Sequence, residues 1–394
     1  MALAVVALAA CASRPYEPAP IESIPFKSRA HTQREGDFRV TAAVPSPAEA
    51  EAIFGIPVYD RGMQPVWLEV ENASRHRVRF APVGMDRNYF PPHEVWYIHR
   101  KGFSKEGDKA MERYLDELSM PRIIPPGEAR SGFVFTHASP GTKGFNVDLF
   151  GQGTQDGNFT FFIEVPGFVP DHAAVDFAGL YETDEIRDLN VKGLRAALAE
   201  LPCCTSDESG SRQGLPIGLA VVGKGEDVLH ALLRAGWFET VRPDDESEFA
   251  KAQFLFGRPP DAVFRIRRGG MYDRNELRLW LAPMRVGDEP VWLAQITHYI
   301  GQTTPIGRAL FDPRLDRDID DGRNYMLQIM WYSQGLEAFA WQSAGEVVPI
   351  DEMREDYKGA AYFTDGFRAV LWLSGDPVSL LETRHMAWDV PPYR

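Results

Sequence analysis

The chain is poor in cysteine, with three in 394 residues, and two of them, Cys203 and Cys204, are adjacent. That scarcity excludes a small scaffold stapled by many disulfides and leaves a Cys-rich zinc module without ligands. Long apolar runs are lacking as well. No stretch approaches the ~18 apolar residues that cross a bilayer as a helix, so no membrane-spanning helix is expected. Basic residues are in deficit: 42 Lys and Arg stand against 56 Asp and Glu, for a net charge of −14. Such a balance repels a phosphate backbone, and nucleic acid is not expected as a partner. Reaction signatures are missing or broken. No Gly-x-Ser-x-Gly elbow occurs. "HEVWYIH" puts Tyr97 where a zinc-binding helix needs its second histidine, reads as a strand, and gives His93 and His99 no third ligand nearby. "GQGTQDG" is one residue too long for a dinucleotide loop, and "GKGED" opens a helix with Glu226 and Asp227 where a phosphate needs positive potential. No cofactor and no metal are expected.

What is present is ordinary globular composition, 44% hydrophobic with 24 Phe and 9 Trp, in a chain too long for one core. Two domains follow. The opening "MALAVVALAACAS" is a short secretory apolar run, and Leu8-Ala9-Ala10-Cys11 matches the bacterial lipoprotein cleavage box. Residues 1–11 are thus expected as a signal peptide ending at an acylated Cys11, with the true start upstream because no Lys or Arg precedes the run. A frayed apolar N-terminus is the plainer alternative. Ala12, in place of Asp, implies sorting to the outer membrane, so the expected location is its periplasmic face. There the lipid is the tie to the membrane.

Residues 12–36 are rich in Pro, Ser and charge and read as a flexible tether. Over 37–165 short alternating runs predict strands at 38–44, 66–71, 77–83, 94–99, 132–136, 145–150 and 159–165, with one helix at 109–118. Seven strands in this span predict an all-β sandwich of immunoglobulin-like type. Residues 166–199 read as a linker. Over 200–375 strands alternate with helices: strand 215–223, helix 226–235, a hairpin of 277–286 and 290–300 around Gly287-Asp288, helix 320–333, then strands 336–341 and 362–373. This order, with one strand extra, predicts a split βαβ, ferredoxin-like α+β domain. Residues 376–394 are left as a tail.

Seven segments in the second half, "LPCCTSDESGSRQGLPIGLAVVG", "ALLRAGW", "FLFGRPPD", "RNELRLWLAPMR", "VWLAQITHYIG", "NYMLQIMWYSQGL" and "YFTDG", occur in an order that resembles the LssY C-terminal domain family. The resemblance runs from about Leu201 to Leu373 and implies the cell envelope without supplying a reaction. "QPVWLEVEN" upstream is similar to the N-terminal half of lipoproteins that carry this domain. Two departures stand out. Where relatives tend to read His-Lys-Ile-Asp-Pro-Asp, this chain has Pro313-Arg314-Leu315-Asp316-Arg317-Asp318, and the family's Asn-His-Leu is Asn275-Glu276-Leu277. A family site using those histidines would be lost or altered here.

Charge is concentrated in two places. Asp312, Asp316, Asp318, Asp320 and Asp321 crowd a helix start, but a calcium loop from Asp316 would need Gly and Glu where Asp321 and Leu327 stand, so capping is the simpler role and an irregular cation site the alternative. Arg258, Arg265, Arg267, Arg268, Arg274 and Arg278 form the other cluster. Their plain role is to pair with those aspartates; the sharper one is to hold an anionic envelope molecule. The candidate surface is therefore Arg258, Arg274, Asn275, Gln295, Asp316, Asp318, Asp320 and Arg323, with His298 read as a core histidine. A binding or structural module for an envelope protein, lipid or glycan is expected. The alternative is a hydrolase or cation-dependent enzyme with its site in the C-terminal domain. Cys203 and Cys204 are expected to play a structural part at the domain entrance, either as two small buried thiols or as a vicinal disulfide.

Overall fold

The computed structural model describes residues 14–151, 155–240, 253–267, 274–300 and 314–391. The chain divides into two compact units, Met1–Phe168 and Val169–Arg394. Cys11, Arg268, Asp312 and Pro313 lie outside the described residues.

Unit one contains β1 (His31–Glu35), β2 (Phe38–Ala43), α1 (Pro47–Phe54), β3 (Met63–Asn72), β4 (Val78–Ala81), α2 (Pro92–His99), α3 (Lys105–Glu117), β5 (Ile123–Ile124), β6 (Glu128–His137), β7 (Thr142–Phe150) and β8 (Gln155–Glu164). Two four-stranded antiparallel sheets form, in the orders β1-β2-β3-β6 and β5-β4-β7-β8. The alternation in β3 explains the layering. Val66, Leu68 and Val70 join Phe80, Val147 and Phe159 in one core, while Trp67 turns to a second core with Phe133 and Phe135. That second core is closed by Phe54 of α1, Val95 of α2 and Met111 and Leu115 of α3. A Ser46–Glu49 capping box and Gly55, at φ 64°, fix the ends of α1.

Two expectations fail here. Residues 94–99 belong to a helix: Pro92 suits its first turn, Val95 and His99 lie four apart on the buried face, and the His99 imidazole Nδ1–H donates to the Val95 carbonyl at 2.8 Å. Burial pushes the His99 pKa down. The stretch 12–36, read as a tether, is packed wherever it is described: Phe26 is fully buried in the second core, the Tyr16 hydroxyl donates to the Phe54 carbonyl at 2.7 Å, and β1 pairs with β2. One buried cation also belongs to this unit. The Lys143 ammonium donates to the His137 carbonyl at 2.7 Å, and burial pushes its pKa down to about 8 against the opposing pull of Asp86.

Unit two contains β9 (Arg187–Leu189), α4 (Val191–Ala199), β10 (Cys204–Ser206), β11 (Gln213–Pro216), β12 (Leu219–Val222), α5 (Gly225–Arg234), β13 (Phe238–Glu239), β14 (Ala262–Arg267), β15 (Arg274–Val286), β16 (Glu289–Ile300), β17 (Arg314–Leu315), α6 (Ile319–Tyr332), β18 (Leu336–Ser343), β19 (Arg354–Glu355), β20 (Ala361–Tyr362), β21 (Phe367–Leu373) and β22 (Arg384–Met386). Its main sheet runs β13-β14-β15-β16-β12-β21-β18-β22, with β9 beside β15 and β17 beside β16. β12 pairs antiparallel with β16 and parallel with β21. All four residues of β12 are buried, as a strand covered on both faces requires. On one face Leu219, Val221, Leu277 and Leu279 pack with Val228 and Leu232 of α5 and Met326 and Met330 of α6. On the other, Ala220, Val222, Trp280 and Leu293 pack with Leu194, Ala197 and Leu198 of α4.

The expected strand 215–223 is two strands. Pro216 has no N–H to continue a ladder, and the chain breaks there, with the Ile217 N–H donating to the Cys203 carbonyl at 2.7 Å before β12 begins. The expected linker and tail are also parts of the unit. β9 pairs with β15, α4 covers a sheet face, β22 pairs with β18, and Trp388 meets Trp372 at 5.9 Å between ring centroids.

Candidate functional site

The hairpin register decides where the arginines go. β14 and β15 are antiparallel, with Arg267 opposite Arg274 and Arg265 opposite Glu276. Cross-strand partners share a face and alternate residues return to it, so Arg265, Arg267, Arg274, Glu276 and Arg278 project together, away from the face that carries Phe264, Ile266 and Leu277. Glu276 is almost wholly buried and sits among three guanidinium groups: Arg265 Nε donates to it at 2.8 Å, Arg278 bonds its other oxygen, and Arg274 Nε lies 3.8 Å away. Burial alone would raise the Glu276 pKa; Arg278, Arg265 and Arg274 outweigh it and hold the carboxylate below its usual range. Arg278 is fully buried and also donates to Thr297 Oγ1 and the Tyr299 hydroxyl at 3.1 Å each. Gln295 extends this network, donating to Thr205 Oγ1 at 3.3 Å and the Leu215 carbonyl at 3.1 Å.

Outward from this hub the charge is less well matched. Arg265 and Arg274 keep 30% and 24% of their side chains in solvent, and Arg267 is exposed, with its guanidinium 5.5 Å from the Phe238 ring centre. Arg274 stands over the Tyr299 ring at 5.0 Å, and its buried Nε has no hydrogen-bond partner. Among the described residues Glu276 is the carboxylate within ion-pair reach of Arg265 and Arg274.

The aspartates near α6 are occupied differently. Asp318 is the N-cap, accepting from the Asp320 N–H at 3.2 Å, and Asp316 accepts from the Asp318 N–H at 3.1 Å while facing His298 Nδ1 at 3.0 Å. Asp320 accepts from Thr364 Oγ1 and the Asp365 N–H, both at 2.7 Å, and its pKa is pushed up by burial and by Asp365 against the pull of Arg323. Arg323 grips Asp365 through two bonds of 2.8 Å and reaches Asp320 at 3.3 Å. Capping and one buried ion-pair cluster account for these acids. Among the described residues no group of three or more His, Cys, Asp or Glu is arranged to hold a metal ion.

Of the eight residues proposed as one surface, the fold gathers Gln295, Asp320 and Arg323 around a single cavity of about 40 Å³ that also touches Cys203, Cys204 and Gln213. That volume admits water and no organic substrate. Arg258 is elsewhere, bound to Asp261 at 2.8 and 2.9 Å, the Tyr181 hydroxyl and the Leu281 carbonyl. Asn275 is fully buried on the helix-covered face, and neither amide atom has a partner. Arg274 pairs with Glu276, so among the described residues the expected pairing of Arg258 and Arg274 with the helix-start aspartates does not occur. Cys203 and Cys204 are joined as a disulfide with Cα atoms 3.7 Å apart, so the free-thiol alternative is set aside. The Gln213 amide donates to Cys204 Sγ at 2.9 Å, and Cys204 lies opposite Pro216 in the short β10–β11 ladder.

Sequence reading missed Glu276 as the hub of the arginine cluster. The signal was there, a lone carboxylate alternating with Arg274 and Arg278, but partner choice depends on register with Arg265.

Residues 198–367 match the family model of the LssY C-terminus. That matched segment lies within unit two. No curated protein matches the chain. The matched segment contains the arginine hub, the disulfide and the α6 cluster.

Proposed function

We propose that the protein is a lipid-anchored binding module of the bacterial cell envelope, held at the periplasmic face of the outer membrane through Cys11, and that its LssY C-terminal domain recognises an anionic group of an envelope molecule. The observation that carries the ligand is the shared face of β14 and β15, where Arg265 and Arg274 flank Glu276, the carboxylate within their reach among the described residues, and Arg267 stands opposite Arg274, in a protein of net charge −14. Guanidinium groups match phosphate oxygens in pairs. The anchor rests on the Leu8-Ala9-Ala10-Cys11 box. We further read unit one as an immunoglobulin-like sandwich, supported by two antiparallel sheets around one core, and unit two as a ferredoxin-like domain, supported by the order β15-β16-β12-β21-β18, in which β21 is the extra strand.

Vesicle sedimentation tests the ligand. The full chain should bind phosphatidylcholine vesicles carrying phosphatidylglycerol at least tenfold more tightly than phosphatidylcholine alone, and Arg267→Gln with Arg274→Gln should remove that difference. Equal binding to both vesicles, or an unaffected double variant, sinks the anion reading. Incorporation of labelled palmitate that survives Cys11→Ser sinks the anchor.

A further inference from the structure

On the opposite face of the same sheet a cavity interrupts the apolar packing between sheet and helix. There a cleft of about 570 Å³ opens beside the start of α5, walled by Phe177, Leu229, Phe264, Leu279, Leu281 and Trp292. Its volume falls within the range of small-ligand sites and is an order of magnitude above the cavity beside the disulfide. The polar edges of its walls are already bonded. Trp292 Nε1 donates to the Gly223 carbonyl at 3.0 Å, and His172 Nε2 meets Glu239 at 2.6 Å, with the imidazole stacked toward Phe264 at 6.3 Å and 20°. Phe177 stands edge-on to Trp292, 5.6 Å between centroids. Ring faces and aliphatic carbons are what remains to meet an occupant.

Charge narrows its chemistry. Among the described residues no Lys or Arg lines the cleft, and Glu226, exposed on the first turn of α5, stands at its rim. Among these lining residues a carboxylate or phosphate head would meet no cation and would face a like charge. We infer that this cleft is a binding site for an uncharged, chain-bearing lipid-like molecule, separate from the arginine face and independent of the anion reading. Burying hydrocarbon against these walls supplies the affinity. The Glu226 carboxylate supplies selection against acids.

The test uses the full chain and the neutral fluorophore N-phenyl-1-naphthylamine. Saturable fluorescence enhancement is expected, with hexadecanol displacing the probe at a concentration at least tenfold below that of palmitate. Ala178→Trp, an exposed rim position that fills the cleft without touching the core, should weaken probe binding tenfold or more. Glu226→Lys should close the gap between alcohol and acid. Arg267→Gln with Arg274→Gln should change none of these, which separates failure here from failure of the anion reading. Probe binding that does not saturate, that persists in Ala178→Trp, or that palmitate displaces as well as hexadecanol does would overturn the inference.

Discussion

Replacing Arg278 by methionine tests whether the hub is held together electrostatically. Arg278 is fully buried and makes its strongest contact with Glu276, itself almost wholly buried. Removing one partner of a buried ion pair typically costs about 3–5 kcal/mol, because the remaining charge stays in a low-dielectric site. Glu276 would keep Arg265 at 2.8 Å and Arg274 at 3.8 Å, so the loss belongs at the lower end, about 3 kcal/mol. Amide hydrogen exchange along β15 and β16 reads this locally, and exchange there should quicken by roughly a hundredfold at pH 7. The pH matters. The folded-state pKa of Glu276 is lowered, so its stabilising contribution is present at neutral pH and is lost as pH falls through that depressed value. Combining Arg278→Met with Glu276→Leu should cost less than Arg278→Met alone, since neither buried charge is then orphaned and the two outer arginines reach water. Exchange in Arg278→Met within a factor of about five of the parent, a difference under ~1 kcal/mol, would refute the reasoning.

Two further outcomes follow from other buried groups. Lys143→Met should stabilise unit one below pH 8 by up to about 3 kcal/mol, because the folded-state pKa of about 8 against 10.5 means the native state bears the cost of a buried ammonium until it deprotonates. Measured by urea unfolding, this gain should shrink as pH rises from 8 to 10.5; a constant difference would show that packing alone is involved. Replacing Cys203 and Cys204 together by serine should lower the melting temperature only modestly, since a bond between neighbours closes no loop, and should leave vesicle binding intact. Lost binding at an unchanged melting temperature would place the pair in the functional site.

Legibility tracked how local the cause was. The hairpin of β15 and β16 was readable because Gly287, at φ 60°, sits between two long apolar runs, and α5 because Glu226 and Asp227 open a periodic helix. Helix α2 was misread because Val95, Tyr97 and His99 alternate like a strand over so short a span, while its helical partners, Trp96 to Asp108 among them, lie on another element. Phe26 looked like part of a tether because nothing nearby in sequence announces the core that receives it. The cleft was invisible for a related reason: Phe264, Leu279 and Trp292 are spaced as core residues are, and nothing local in the sequence marks them as walls of a cavity.

The arginine face shows what register adds to composition. A slip of one residue between β14 and β15 would break the pairing of Arg265 with Glu276, and a one-residue shift in facing would carry the cationic set to the helix-covered side, away from Glu276. In the register observed, Arg267 and Arg274 are directly opposite, an arrangement that costs stability because like charges repel across a ladder. Glu276 lies beneath Arg274 and offsets that repulsion on the buried side only. An anion seated between the outer guanidinium groups would relieve the rest, so binding and folding are linked: whatever anion the face prefers should raise the stability of unit two in proportion to RT ln(1 + [L]/Kd). The same linkage predicts that Arg274→Gln stabilises the unliganded domain slightly while abolishing the gain from ligand. Opposite signs in the presence and absence of ligand are what a binding face predicts and a purely structural ion-pair network does not.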